Sequence, residues 1–266
     1  MFKIKVHSYW LKSEFEYSKQ IELYVDMLPM IEIPNDTIRI IMIQEPVNPK
    51  LIGDMINKDY FKFYNYVFTY HKDILDNNQK AVLLLAANTR IQNYTFPEKS
   101  FGVSTWLSNR DPHLKRGVQY RRELWDRQNE IKIPKYFYLS SEMPFVDIDY
   151  TNKLILGTDK SVMFNTQYHI AFDTISIENM FSEKLIDCFQ TKTIPIYYGC
   201  TNLQDYFNTD GIILVKNVNE VIEFCNNLKP EIYNTMADVI NDNYKKSLAY
   251  LSHTQMVDKK LKEIFK

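Results

Sequence analysis

Glycine is scarce in this chain, 6 residues in 266, which is low for a loop-rich fold. It is also absent from the patterns that build nucleotide loops: there is no G-x-G-x-x-G, no P-loop and no G-x-S-x-G nucleophile elbow. The three cysteines, Cys188, Cys200 and Cys225, are an odd number without paired spacing. That excludes a disulfide framework and points to reduced thiols in a cytosolic protein. The five histidines (His7, His71, His113, His169, His253) are scattered and make no metal-ligand spacing. No apolar run approaches the length of a membrane span, and the first residues contain no signal-like apolar region. Lysine plus arginine number 32 against 33 acids, a formal charge of −1, so no overall basic field recruits nucleic acid. Internal repeats and low-complexity segments are missing too. What is abundant is aromatic: 19 tyrosines and 16 phenylalanines. The length suits one large or two small domains with ample core.

Apolar runs separated by polar and helical-period segments imply an α/β chain. Phe2–Val6 reads as a first strand, and Ile38–Ile43 (IRIIMI) has the nearly continuous apolar character of a central parallel strand. It runs into Gln44-Glu45-Pro46, where the proline stops the ladder and an active-site loop is expected. Glu45 is therefore the leading general-base candidate in this half, set against the plainer reading of a loop carboxylate facing water. Tyr60–Tyr70 reads equally as strand or helix, and Ala81–Ala86 is another apolar run. Polar Asn88–Ser100, with Pro97, is a linker candidate. Phe101–Leu107 then opens a second α/β unit, followed by a helix expected over Val118–Asn129 and a strand over Lys135–Leu139. Asp147-Ile148-Asp149 is a D-x-D triplet of a kind that arises by chance in polar loops, and it is read as solvent-facing. Gly211–Val215 supplies a last strand, and Pro230–Lys266 reads as a long helical tail.

The densest information lies between Tyr168 and Phe207. Tyr168–Phe172 is a buried-strand run; Phe181, Leu185, Cys188 and Phe189 recur at helical spacing; Thr193–Tyr197 is a second strand closed by Gly199 and Asn202. Strand, loop, helix, strand is a βαβ unit, which implies a parallel sheet with a ligand crevice at the carboxyl ends of its strands. Ser182 is a natural N-cap, placing Glu183 and Lys184 in the first turn. Glu183 suits the positive end of the helix dipole; Lys184 suits it only if an anion docks there, the alternative being a lysine that snorkels into solvent.

This stretch resembles the donor-binding motif of the family-10 glycosyltransferases, the α-1,3/4-fucosyltransferases and their bacterial and viral relatives. FDTI, NMFSEKLIDCF, TIPIYYG and CTNLQDYF stand at the family's separations over roughly forty residues. The chain departs from the pattern at Asp173 (for Glu), Thr174 (for Asn) and Met180 (for Tyr). The resemblance implies a GT-B fold, two Rossmann-like domains facing across a cleft. The expected domains are 1–98 on the acceptor side and 99–229 for the nucleotide sugar. The helical tail 230–266 is expected to pack back toward the first domain.

By the family pattern Lys184 and an arginine neutralise the donor diphosphate and Glu183 holds the ribose hydroxyls. Arg121 is that arginine by virtue of the following Trp125-Asp126, with Arg116 and Arg122 as rivals. Asn109, Asp173, Thr174 and Met180 complete the donor contacts that the resemblance implies. The implied reaction is inverting, metal-independent transfer of fucose from GDP-fucose, or of a sugar from another nucleotide diphosphate donor, with no further cofactor required. Glu45 corresponds in position to the family's base, with Asp54 or Asp73 next in line. The acceptor is expected to be a glycan. An alternative is a viral enzyme acting on hydroxylated nucleic-acid bases, which Lys115, Arg116, Arg121, Arg122 and Arg127 keep open. A second is a non-catalytic nucleotide- or glycan-binding relative. Animal members carry an anchoring helix and this chain shows none, so a cytoplasmic bacterial or viral enzyme is expected.

Overall fold

A computed structural model of the chain describes residues 1–8, 11–26, 36–45, 60–108, 116–141, 149–151, 153–157 and 159–265. These residues fall into two compact units, one of residues 1–88, 178–180 and 250–266, the other of 89–177 and 181–249. No helix among them is long and apolar enough to cross a membrane.

The first unit holds β1 (Phe2–Lys3), β2 (Lys5–His7), β3 (Glu16–Tyr17), β4 (Ile21–Val25), β5 (Ile38–Ile43), β6 (Tyr66–Thr69), α1 (Lys72–Asn77) and β7 (Ala81–Leu83). β1 and β3 pair antiparallel; the remaining five strands form one parallel sheet in the order β2-β4-β5-β6-β7. β5 shows why its sequence is apolar from Ile40 onward. Ile40 and Met42 join a core with Leu23, Phe68 and the C-terminal helix residues Val257 and Leu261, whereas Ile41 and Ile43 face a second core with Phe61, Tyr64 and Ile74. A parallel strand covered on both faces has no polar side. The Tyr60–Tyr70 segment contains a short 3-10 turn (Tyr60–Phe63) and then β6, so its ambiguous pattern reflects two elements in succession.

The second unit holds β8 (Ser100–Leu107), α2 (Arg116–Asp126), β9 (Lys135–Ser140), β10 (Leu154–Leu156), β11 (Thr166–Phe172), α3 (Glu183–Gln190), β12 (Ile194–Tyr198), β13 (Ile213–Leu214), α4 (Val218–Asn227), α5 (Pro230–Thr235) and α6 (Ala237–Ser247). Its strands are all parallel, in the order β10-β9-β8-β11-β12-β13. β8 lies beside β11, so the chain winds outward in one direction through β9 and β10 and in the other through β11, β12 and β13. The carboxyl ends of β8 and β11 therefore flank the topological switch point, where open parallel sheets bind ligands. Tyr168, Ile170 and Phe172 of β11 pack into a core with Val103, Leu107, Leu124, Ile194 and Ile196.

The C-terminal tail is helical, as its pattern implies, but broken. α5, α6 and a final helix, His253–Ile264, are separate, and Ser252 caps the last by accepting from the Gln255 N–H at 3.5 Å. Residues 88–100 contain no helix or strand before Ser100, yet they are tied down. The Tyr94 hydroxyl donates to the Phe164 carbonyl at 2.7 Å, and the Thr89 hydroxyl and Arg90 N–H both donate to Asp187 Oδ1 at 2.7 Å.

Candidate functional site

In the second unit a crevice opens at the switch point, lined by Thr105 and Trp106 of β8, Arg121 of α2, Lys160, residues 169–172 of β11, and Glu183, Lys184 and Asp187 of α3. The cap that sets its floor is the one expected from the sequence. Ser182 is extended, and its Oγ accepts the Lys184 N–H at 3.3 Å, which satisfies one of the open donors of the first turn. The same Oγ accepts from Lys184 Nζ at 3.3 Å while donating its own proton to Asp173. Asp173 thus turns the lone pairs of Ser182 toward Lys184.

Asp173 itself is wholly buried and does not line the crevice. Its carboxyl accepts hydrogen bonds from the hydroxyls of Ser182 and Tyr197 and from the Ser182 N–H. Burial raises its pKa against the opposing pull of Lys184 and those hydrogen bonds. Two glycines make room for this arrangement. A Cβ on Gly117 would lie 1.7 Å from the Asp173 carbonyl oxygen, and one on Gly199 would lie 2.1 Å from the Tyr197 hydroxyl. Gly117 donates its N–H to the Thr174 carbonyl at 3.2 Å, which docks the start of α2 on the segment leaving β11. Thr174 is half-buried at that junction.

Glu183 and Lys184 pair at 3.1 Å, each side chain 22% exposed. Desolvation alone would push the Glu183 carboxyl up; the ammonium of Lys184, with Arg90 and Lys160, outweighs it and brings the pKa down to about 2. The residual exposure lowers the cost of keeping both charges. Arg121 is buried on the inner side of α2 with Val118 and Leu124, and its Nη2 donates to the Phe172 carbonyl at 2.5 Å. Its rivals lie elsewhere: Arg116 is exposed near Tyr120, and Arg122 pairs with Asp126 at 3.4 Å. Deeper in the crevice, burial first and then the charges of Lys99 and Lys160 pull His169 down to about 3, so its ring is neutral. Burial pushes the Asp187 carboxyl up to about 7 despite the two donors from Thr89 and Arg90.

The structure brings Arg121, Glu183 and Lys184 together and sets Asp173 and Thr174 immediately behind them. Met180 is buried and belongs, with Glu178 and Asn179, to the first unit. Asn109, Lys115, His113, Asp54 and Asp147 lie outside the described residues; Asp149 is exposed. Lys160 and Trp106 were not anticipated. An Asp159 side chain accepting the Ser161 N–H at 2.9 Å marks a turn at Lys160, but nothing in the sequence indicates that this turn faces the crevice. All three cysteines are buried and outside any disulfide.

Glu45 lies in the first unit just past β5, and it is exposed. Its N–H and that of Gln44 donate to Asp26 Oδ1 at 3.3 and 2.8 Å, while the Glu45 carbonyl lies 3.4 Å from His71 Nε2. Asp26 has φ 51°, a left-handed conformation that aspartate tolerates, and desolvation raises its pKa. Asp73 sits in the first turn of α1. Among the described residues no three His, Cys, Asp or Glu side chains cluster as metal ligands.

No family model and no curated sequence matches the chain. Solved structures do resemble it. An α1,3-fucosyltransferase with GDP matches at a TM-score of 0.55 over 93% of this chain and 88% of its own, with 16% identity. The pneumococcal O-GlcNAc transferase GtfA, in complex with UDP and GlcNAc, matches at 0.52 over 92% of this chain and 56% of its own, with 10% identity. An α,α-trehalose 6-phosphate synthase from Burkholderia multivorans matches at 0.54 over 92% and 71%, with 6% identity. Together with the two parallel sheets, these likenesses show the GT-B fold of two Rossmann-like domains.

Proposed function

We propose that this chain is a glycosyltransferase that moves a sugar from a nucleoside diphosphate sugar to an acceptor hydroxyl. The observation that carries this reading is the crevice at the switch point of the second sheet, where Arg121 and Lys184 converge beside the capped start of α3. A fixed pair of cations next to open backbone N–H groups suits a diphosphate, whose charge grows as the sugar leaves. Arg121 and Lys184 stabilise that leaving charge, so the reaction proceeds without metal. Glu183, ionised at neutral pH, accepts hydrogen bonds from the ribose diol. Asp173 acts through Ser182 as a positioning residue for Lys184, and Asn109, Thr174 and Met180 complete the donor contacts. By the motif resemblance the donor is GDP-fucose.

The acceptor oxygen attacks the anomeric carbon as the bond from that carbon to the phosphate oxygen breaks, which inverts the centre. The acceptor proton passes to a carboxylate of the first unit, Glu45 by preference. A glycan acceptor fits better than nucleic acid, because most of the basic groups in and just after α2 are withdrawn or paired. Arg121 is buried, Arg122 pairs with Asp126, and Arg127 pairs with Glu123 at 2.9 Å and Glu130 at 2.8 Å, which leaves Arg116 as the exposed one. Three buried cysteines outside any disulfide accord with a cytoplasmic enzyme.

A thermal-shift panel of GDP, UDP, CMP and their sugar conjugates, each with and without EDTA, tests the reading. Stabilisation by GDP that EDTA leaves unchanged is expected. A shift with UDP alone would keep the transferase and discard fucose. GDP bound tightly, with no turnover across many acceptors, would indicate a non-catalytic relative.

A further inference from the structure

Lys160 is unexplained by any of the roles above. It is half-buried, it lines the same crevice as Arg121, Glu183 and Lys184, and its ammonium stands 3.5 Å from the centre of the Trp106 ring. Among the described residues it has no carboxylate within salt-bridge distance and no hydrogen-bond acceptor. The crevice acids are otherwise committed: Glu183 to Lys184 at 3.1 Å, and Asp187 Oδ1 to Thr89 and Arg90 at 2.7 Å. A half-buried ammonium that rests on a ring face, with no carboxylate paired to it, is placed to engage an incoming anion. Burial lowers the pKa of Lys160, with the positive charges of Lys184 and Arg90 acting in the same direction against Glu183 and Asp187.

We propose that Lys160 is a third cationic contact for the donor diphosphate, held against the Trp106 indole until the anion arrives. This rests on the reading of the crevice as a nucleoside diphosphate site and extends it. Lys184 is shared with Glu183, and Arg121 gives one donor to the Phe172 carbonyl, so neither is free to neutralise both phosphates alone. Lys160 supplies the missing charge, and a charge-assisted bond to phosphate outweighs the ring contact it gives up. Loading of the site is then reported by Trp106, because the cation leaves its ring face.

The test measures GDP and UDP affinity by calorimetry, and tryptophan emission, for the wild type, Lys160→Met, Lys160→Arg, Lys184→Ala and Trp106→Phe. Methionine keeps an apolar stem on the indole and removes the charge; arginine restores the charge. Lys160→Met is expected to bind the nucleotide about tenfold or more weakly. Lys160→Arg should stay within about threefold of wild type, since the guanidinium also grips phosphate. Saturating nucleotide should change wild-type emission, and the change should vanish in Trp106→Phe and Lys160→Met. Equal affinity in Lys160→Met, alongside a loss in Lys184→Ala, overturns the role of Lys160 and leaves the nucleotide site standing. If the wild type binds neither GDP nor UDP, the site reading fails and this proposal with it. Should Lys160→Met not fold, the wild-type signal decides: emission unmoved at saturation contradicts the proposal.

Discussion

The two parallel sheets of this chain differ in how they are wound, and the difference decides what their carboxyl edges do. The first winds in one direction, β2-β4-β5-β6-β7, with no reversal among its described strands. The second reverses between β8 and β11. At a reversal the connections leave in opposite directions and open a crevice between them; here that crevice collects Arg121, Lys160 and Lys184. The edge of the first sheet instead carries Asp26, Glu45 and His71, linked through backbone groups. Under the proposed function, one edge receives the anion and the other takes up the acceptor proton.

That contrast can be broken most severely at Gly117. Its alanine variant places a Cβ 1.7 Å from the Asp173 carbonyl oxygen, so α2 has to shift away from β11. A loss on the order of 3 kcal/mol in denaturant unfolding is expected, together with loss of nucleotide binding. Retention of both would show that Arg121 does not depend on this close approach.

The next effect separates the two edges. Lys184→Ala should weaken nucleoside diphosphate binding by more than about tenfold in calorimetry while the fold survives, because a charge-assisted contact is lost. Glu45→Gln should lower turnover and leave donor affinity nearly unchanged, since a base acts in the transition state. The opposite pattern would exchange the assigned roles.

A further effect depends on pH. Asp187 has its folded pKa raised from 3.8 to about 7, so the folded state binds the proton more tightly than the unfolded chain does. The stability it contributes is full below about pH 4 and is lost as pH rises toward 7, at up to about 1.4 kcal/mol per pH unit within that window. Asp187→Asn keeps the oxygen that Thr89 and Arg90 bond to and removes the titration. Its stability relative to wild type should therefore rise between pH 4 and 7 and level off above; a difference independent of pH would contradict the assignment. The smallest effect is expected at Arg122, whose exposed pair with Asp126 is worth roughly 0.3–0.5 kcal/mol. Arg122→Ala should leave nucleotide affinity within about twofold, in contrast to Arg121.

Much of this was legible in the sequence because it is local. IRIIMI is read as a buried parallel strand and is one, since both of its faces meet core. Ser182 is read as a cap and makes the capping bond. β4 escaped notice because Glu22 interrupts IELYV, yet that glutamate is buried. It is satisfied by the Tyr24 hydroxyl of its own strand at 2.5 Å and by His7 at 3.0 Å, the second contact visible only once β2 and β4 lie side by side. Lys160 escaped for a similar reason: its local turn is readable, but its place over Trp106 depends on residues fifty-odd positions away in sequence. The tail reads as one helix because its period continues, whereas Ser252 restarts the hydrogen bonding before His253.

Amide hydrogen exchange with and without saturating GDP, and in parallel UDP, tests the central claim most directly. The account predicts new protection at residues 105–107, 169–173 and 182–188, with the carboxyl edge of the first sheet little changed by nucleotide alone. Protection confined to residues 25–26, 43–45 and 69–71, or none with either nucleotide, would contradict the placement of the anion site at the switch point of the second sheet.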